Sequence, residues 1–280
     1  MRINLPSLIV AVLLATGFHA VAEDKPAFPA GTTMETIQSR GKLVVGVKYD
    51  QPGMGLMNPS TGRLEGFDIE ISNKIAASLG LTEDQIEFKE AVSKNRIPFI
   101  DNGVVDIVIA SFGITPESKK AVDLAGPYFK TGMQALVRVE EKDKYKTFED
   151  LKGVKACATT GSDSLRVANR IGAVPVAFDT YNECVQQLIT GGVDAIPLTT
   201  ILLAGYVQAN PGRVAIAVEP FNPYRFGIGL KKGDKPFCDF INKVLQTAIE
   251  DGSWQKALDA TVGKMGVTNF PPPDDVGSEC

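Results

Sequence analysis

The chain is predicted to be an α/β protein in which parallel sheets are covered by helices. Three observations lead there. Short aliphatic runs are each followed by a stretch of helical periodicity, the signature of strand–helix units. The series starts twice, at Leu43-Val44-Val45-Gly46-Val47 and again at Thr147-Phe148-Glu149-Asp150-Leu151. The length, 280 residues, suits one large domain or two lobes of ordinary size.

The first segment has an export pattern. Arg2 precedes an apolar stretch from Leu5 to about Phe18, and Ala20-Val21-Ala22 has the small-x-small form of a cleavage site. Residues 1–22 are therefore read as a signal peptide, with a mature start near Glu23 and release into the periplasm. A membrane anchor is the competing reading, but the run is shorter than the roughly 18 to 20 residues of a spanning helix and no second run follows. No cysteine lies near the cut, which argues against a lipid-anchored form.

After the strand at Leu43–Val47, Gly66-Phe67-Asp68-Ile69-Glu70-Ile71 opens a helix in which Phe67, Ile71, Ile75 and Leu79 recur every four residues. Asp68 and Glu70 fall in its first turn, where carboxylates suit the helix dipole, and Gly80 closes it. Ile86-Glu87-Phe88 reads as a strand. A helix is predicted from near Asn95, with Pro98 in its first turn, and a strand over Asp106–Ala110. The second series runs from a short capped helix at Thr147–Leu151 to a strand at Val154–Ala158, a helix opening at Ser162 to Ser164, a helix over Asn182–Ile189 and a strand over Asp194–Leu198. Phe226 to Val262 holds one strand and two helices, too little for a sheet of its own, and is expected to rejoin the first lobe.

Composition excludes several functions. Without Arg2, one of 29 basic residues is gone while all 33 acidic ones remain, a net charge of 28 − 33 = −5 that gives no electrostatic reason to bind nucleic acid. The single histidine, His19, goes with the signal, so imidazole metal sites and histidine-based triads lose their usual member. No metal site, catalytic residue or cofactor is predicted. All of Cys157, Cys184, Cys238 and Cys280 lie in the exported part, where oxidised pairs persist. Cys157 is placed in a strand and Cys184 on a helix, and these two are paired; Cys238 with Cys280 would tie the proline-rich tail, Phe270-Pro271-Pro272-Pro273, back onto a helix. Four cysteines allow three pairings, and zinc is disfavoured because no C-x-x-C spacing is present.

Taken in order, Gly66-Phe67-Asp68-Ile69-Glu70, Asn95-Arg96-Ile97-Pro98, Asp106 to Thr115, Gly126-Pro127-Tyr128, Phe148 to Gly153, Gly192-Val193-Asp194-Ala195 and Gly227 to Lys232 give the chain a further meaning. From Lys42 to about Thr261 it resembles the amino-acid type of periplasmic solute-binding protein that serves ABC importers (family 3), within it the glutamate and aspartate branch. The resemblance implies a two-lobed, periplasmic-binding-protein-like α/β fold of type II, with two hinge strands crossing near Gly132–Val137 and Tyr224–Gly229 and a ligand in the cleft between lobes. The division expected is lobe 1 over 23–134 and 226–265, lobe 2 over 135–225 and a tail over 266–280. A small-molecule solute and the permease membrane subunits are the implied partners, and the family is usually monomeric.

Candidate ligand residues follow from the same comparison. In the family, the segment here spanned by Ser111, Phe112, Gly113 and Thr115 donates to a ligand carboxylate, and an arginine three residues after the threonine completes the grip. This chain has Ser118 there. The family's aspartate for the ligand ammonium falls at Thr199, while Asp194 reads as the structural acid of its turn. Losing both charged anchors, each a charge-assisted bond of roughly 1.5 to 3 kcal/mol, weakens a standard zwitterion by about 3 to 6 kcal/mol. Arg96 matches the residue that receives a side-chain carboxylate in acidic-amino-acid binders, a planar fork suited to a carboxylate or sulfonate; the bland alternative is a solvated arginine at a helix start.

Gly161, Ser162, Asp163 and Ser164 lie between a strand and a helix, where amides and hydroxyls can face a cleft, or Ser162 and Asp163 can simply cap the helix. In the loop after the first strand, Asp50 is a substitute partner for an ammonium, and Tyr49, Met54 and Phe112 are candidate apolar walls, each with local packing as its alternative. The reading is capture of a small polar or anionic solute by lobe closure. The rivals are a cyclohexadienyl-dehydratase-like enzyme on the same scaffold, drawing on Asp50, Asp163 or Glu90, and a sensor subunit that presents its ligand to a receptor.

Overall fold

The structure, a computed structural model, describes residues 1, 26–266 and 270–280; the expected signal peptide from Arg2 to its cut after Ala22 lies outside them. Among the described residues, no helix is long and apolar enough to cross a membrane.

The elements follow the alternation seen in the sequence. Helix α1 (Thr33–Arg40) leads into β1 (Leu43–Val47), and a small meander, β2 (Asp50–Gln51), β3 (Gly55–Met57) and β4 (Leu64–Glu65), precedes α2 (Phe67–Ser78). Gly66, at the entry to α2, has φ 125°, and a Cβ there would stand 2.3 Å from the Met54 carbonyl oxygen, so only glycine lets the meander lie against the helix start. Next come β5 (Ile86–Glu90), α3 (Arg96–Asp101), β6 (Ile107–Gly113), α4 (Pro116–Ala121) and the long β7 (Asp123–Arg138). The second series comprises β8 (Lys155–Thr159), α5 (Asp163–Arg170), β9 (Val174–Phe178), α6 (Tyr181–Thr190), β10 (Ile196–Thr199) and α7 (Thr200–Ala209). It is followed by the long β11 (Val214–Leu230), α8 (Lys235–Glu250) and α9 (Ser253–Ala260).

The main sheet runs β10-β7-β11-β6-β1-β5. β1, β5 and β6 are parallel, as the strand–helix alternation requires, whereas β7 and β11 run antiparallel to each other along most of their length. These two strands carry the chain between lobes. The inner part of β11 pairs with β6 on one side, and the outer part of β7 meets β10 at Met133–Leu136 on the other. The register of β11 shifts between Ala217 and Phe221 and again between Phe221 and Tyr224, where the sheet passes from lobe to lobe. The second lobe is completed by the parallel pair β8–β9, joined to the start of β10 by an Ala156–Ala195 bridge.

Lobe 1 is centred on an aromatic cluster of Phe67, Tyr128, Phe129, Phe226 and Trp254, which stack or meet edge to face at 5.3–6.3 Å. Trp254 donates its indole N–H to the Tyr128 carbonyl at 2.9 Å, so its one polar atom is satisfied inside the core. The sulfurs of Cys157 and Cys184 are within bonding distance, joining β8 to α6, and those of Cys238 and Cys280 join α8 to the end of the chain. The tail lies along lobe 1: Lys130 and Arg225, cross-strand neighbours on β7 and β11, pair with Asp274, Asp275 and Glu279, and Lys119 pairs with Glu279.

Two expectations change. The strand expected to end at Ala110 continues to Gly113, because β11 supplies a partner at Phe226↔Gly113 and Gly227↔Phe112. Val174–Phe178, passed over in the sequence, is a strand whose Pro175 is tolerated because it pairs on one side only, with β8.

Candidate functional site

The lobes meet across a narrow cavity of about 30 Å³ bordered by Gln51, Ser93, Arg96 and Ser111 from lobe 1 and by Ser162, Asp163, Ser164, Tyr181, Leu198, Thr199 and Leu202 from lobe 2, with Met133, Tyr224 and Phe226 on the crossing strands. That is room for two or three waters.

Arg96 is the centre of this site. It opens α3, is only 5% exposed, and lies over the Phe112 ring with its guanidinium carbon 4.4 Å from the ring centre. Its bonds to protein are long ones, Nε to the Ser93 carbonyl at 3.4 Å and Nη1 to the Ala110 carbonyl at 3.3 Å. Among the described residues no carboxylate lies within ion-pair distance, and burial lowers its pKa from the ordinary arginine value. A guanidinium taken out of water without an anion is costly, so the site is built to receive one.

The strand end beside it carries Ser111 with φ 47°, a left-handed conformation uncommon outside glycine. A hydrogen-bonded set holds it there. Ser111 Oγ donates to Gln51 at 2.9 Å, its N–H donates to Tyr128 Oη at 3.2 Å, and Tyr128 donates to Asp68 at 2.8 Å. Asp68 is fully buried, with one carboxylate oxygen that has no partner among the described residues, and burial pushes its pKa up to about 7 against the opposing Tyr128 bond.

From lobe 2, Ser162 is the N-cap of α5, its Oγ accepting from the Leu165 N–H, and it borders the cavity as well, so the capping and cleft-facing readings both describe it. Asp163 pairs with Arg166 and accepts from Tyr224 Oη. Thr199 is 4% exposed, with a hydroxyl that has no partner among the described residues, and it ends β10 at the cavity. Asp194 is bound by Arg138 at 3.1 Å, away from the cavity.

The structure thus brings Arg96, Ser111, Ser162, Asp163, Ser164 and Thr199 around one space, and not the other candidates. Met54 and Phe112 are core residues: Phe112 points to the opposite side of β6 from Ser111, as strand alternation dictates, and serves as the floor under Arg96. Tyr49 donates to the Phe88 carbonyl and packs on the core. Asp50 is buried and committed: its carboxylate accepts the Tyr181 N–H at 2.7 Å and its carbonyl accepts Tyr206 Oη at 2.8 Å, both across the lobes. It is a latch, not an open ammonium partner.

Gly161 packs against the Lys94 backbone, where a Cβ would sit 2.9 Å from Lys94 Cα. Gly113 lies where a Cβ would collide with Tyr224 Oη and Asp163 Oδ2, so its role is to let that pair cross the cleft. Thr115 caps α4 in a reciprocal box with Ser118, whose Oγ donates to the Gly113 carbonyl at 2.8 Å. Ser118 therefore closes a turn and does not substitute for a carboxylate-binding arginine.

Sequence reasoning missed Lys48 and Ser93. Lys48, 1% exposed at the end of β1, donates to Ser93 Oγ at 3.2 Å, and Ser93 shares a 2.9 Å bond with Thr159 of lobe 2. Desolvation lowers the Lys48 pKa to about 8, with Asp50 opposing and Arg96 reinforcing. Lys48 and Arg96 are thus two buried cations of lobe 1. Tyr181 and Tyr224 were also missed; both come from the far lobe or the hinge, and nothing local marks them.

Two lobes joined by paired crossing strands, with a buried polar cavity between them, define a solute-binding protein. The sequence agrees: residues 43–264 match the bacterial extracellular solute-binding proteins, family 3, and the chain belongs to that family. The glutamate-binding protein GluB of Corynebacterium efficiens is 35% identical over 236 residues, 80% of each chain. Among solved structures, an ancestral arginine-binding protein bound to glutamine superposes with a TM-score of 0.74 at 35% identity, covering 80% of this chain and 99% of that one. An ancestral amino-acid-binding protein described as a precursor of cyclohexadienyl dehydratase gives 0.74 at 30% identity, covering 82% and 99%.

Proposed function

We propose that the chain is the periplasmic solute-capturing subunit of an ABC importer, exported by removal of residues 1–22, and that its lobes close on a small anionic solute that is not an ordinary α-amino acid. The lobes in this reading are 23–134 with 226–265, and 135–225, with 266–280 as a tail stapled to the first. Family membership and relatives such as the glutamate-binding protein support the transport role.

The observation that carries the ligand class is Arg96, a buried cation on the cleft wall with no carboxylate beside it among the described residues. An anionic group of the solute completes it by bidentate, charge-assisted bonds. The hydroxyls of Ser111, Ser162, Ser164 and Thr199 supply neutral contacts. The positions where family members hold the α-carboxylate and α-ammonium carry Ser118, turned into a helix cap, and Thr199, uncharged. A zwitterion would have only Asp163, already held by Arg166 and Tyr224 Oη, to face its ammonium, whereas an anion lacking that ammonium needs no such partner.

A thermal-shift screen of the twenty amino acids beside simple dicarboxylates tests this. Stabilisation by the dicarboxylates supports the reading, and micromolar binding of glutamate or aspartate overturns it. The dehydratase relationship gives a second reading its footing, since Asp163 stands at the cavity beside Tyr224. Turnover of prephenate or arogenate would replace capture with catalysis; stoichiometric binding without consumption supports capture.

A further inference from the structure

The inner cavity, about 30 Å³, adjoins a second chamber of about 640 Å³. The two share Met133, Asp163 and Tyr224 as a common wall. In that wall Asp163 pairs with Arg166 and accepts from Tyr224 Oη. Beyond it the outer chamber is apolar along Ile114, Val167 and Phe221.

Its cations are not equal. Lys130 and Arg225 are paired with acids of the tail, and Arg166 with Asp163. Arg170, in the last turn of α5, rests near the Phe221 ring at 5.8 Å and has no ion-pair partner among the described residues. The chamber therefore has an apolar middle, one guanidinium without an ion-pair partner, Arg170, and one carboxylate likewise unpaired among the described residues, Glu117, while the narrow inner cavity has the guanidinium of Arg96.

We infer that the solute is an elongated dianion: one carboxylate enters the inner cavity onto Arg96, an apolar stretch passes Met133 into the outer chamber, and a second carboxylate is held at its rim by Arg170. This rests on the proposed capture of an anion by Arg96 and adds to it the length of the molecule and the residue that reads its far end.

Calorimetry with the linear dicarboxylates glutarate, adipate, suberate and sebacate tests both parts. Affinity is expected to rise by about tenfold or more from glutarate to the best longer member, each tenfold step being what one added favourable contact of ordinary strength supplies. Arg170→Gln, an exposed change at a helix end, should cancel that gain while leaving glutarate within about twofold of the parent protein. If affinity is flat or falls with length, or if R170Q binds the long members as well as the parent does, the inference is wrong. If no member of the series binds, or Arg96→Met binds them all as the parent does, the anion-capture reading itself is wrong.

Discussion

Replacing Arg96 by methionine should move binding and stability in opposite directions. The side chain is 5% exposed, its two bonds to carbonyls are 3.3 and 3.4 Å long, and no carboxylate among the described residues pairs with it. Its stacking on Phe112 contributes on the order of 0.5 to 2 kcal/mol, and much of that contact survives with a methionine sulfur on the ring. Against this stands the desolvation of a guanidinium, several kcal/mol per buried ion in real proteins. The ligand-free R96M protein should therefore be unchanged or more stable, by up to a few kcal/mol. Its affinity for a dicarboxylate should fall by about 2 to 5 kcal/mol, the usual loss when one member of a buried charge pair is truncated, or roughly 30- to 5,000-fold. Denaturant unfolding of the ligand-free protein and calorimetry on the same preparation read both quantities. A marked loss of stability together with unchanged affinity would refute the reasoning, since Arg96 would then be a structural member of the α3–β6 packing.

Other outcomes follow from the same geometry. Asp68, with its pKa raised to about 7, binds a proton in the folded state that the unfolded chain releases near pH 4, so its contribution is full below about pH 4 and declines as pH climbs to 7, by up to about 4 kcal/mol. Lys48, lowered to about 8, acts in the opposite sense: its burial penalty is full below pH 8 and fades as pH rises towards 10.5, so stability from this group increases there. Unfolding measured against pH should lose the first slope in Asp68→Asn and the second in Lys48→Met. Tyr206→Phe removes the bond to the Asp50 carbonyl across the lobes and should weaken ligand binding by about 0.5 to 1.5 kcal/mol, read by calorimetry. Cys280→Ser frees a tail closed over 42 residues of chain and should destabilise the fold by up to about 4 kcal/mol without altering ligand affinity, read by paired unfolding and binding measurements.

Much of this architecture is written locally. The aliphatic runs, the four-residue spacing of Phe67, Ile71 and Ile75 and the cap at Ser162 are governed by near neighbours, and the corresponding elements stand where they were expected. Arg96 stood out because Asn95-Arg96-Ile97-Pro98 resembles the family segment whose arginine receives a side-chain carboxylate. Its burial did not, since that depends on Phe112 below it and on lobe 2 above it. Phe112 and Met54 misled because proximity in sequence to a cleft-lining segment does not fix direction: on β6 the side chains alternate, so Ser111 and Phe112 cannot both face the ligand. Thr115 and Ser118 followed helix-capping chemistry, whose reciprocal bonds use up the same hydroxyls that a ligand would need. Asp50, Tyr181, Tyr206 and Lys48 gained their roles only when the lobes met, through contacts spanning up to 156 positions in the chain.

The central claim is that the cleft recognises an anion and has no seat for an α-ammonium. Glutarate and glutamate share both carboxylates and differ by that ammonium, so side-by-side calorimetry of the parent protein isolates the claim. Binding of glutarate tighter than glutamate by at least about tenfold is the predicted result; glutamate binding as tightly as glutarate, or more tightly, would contradict it.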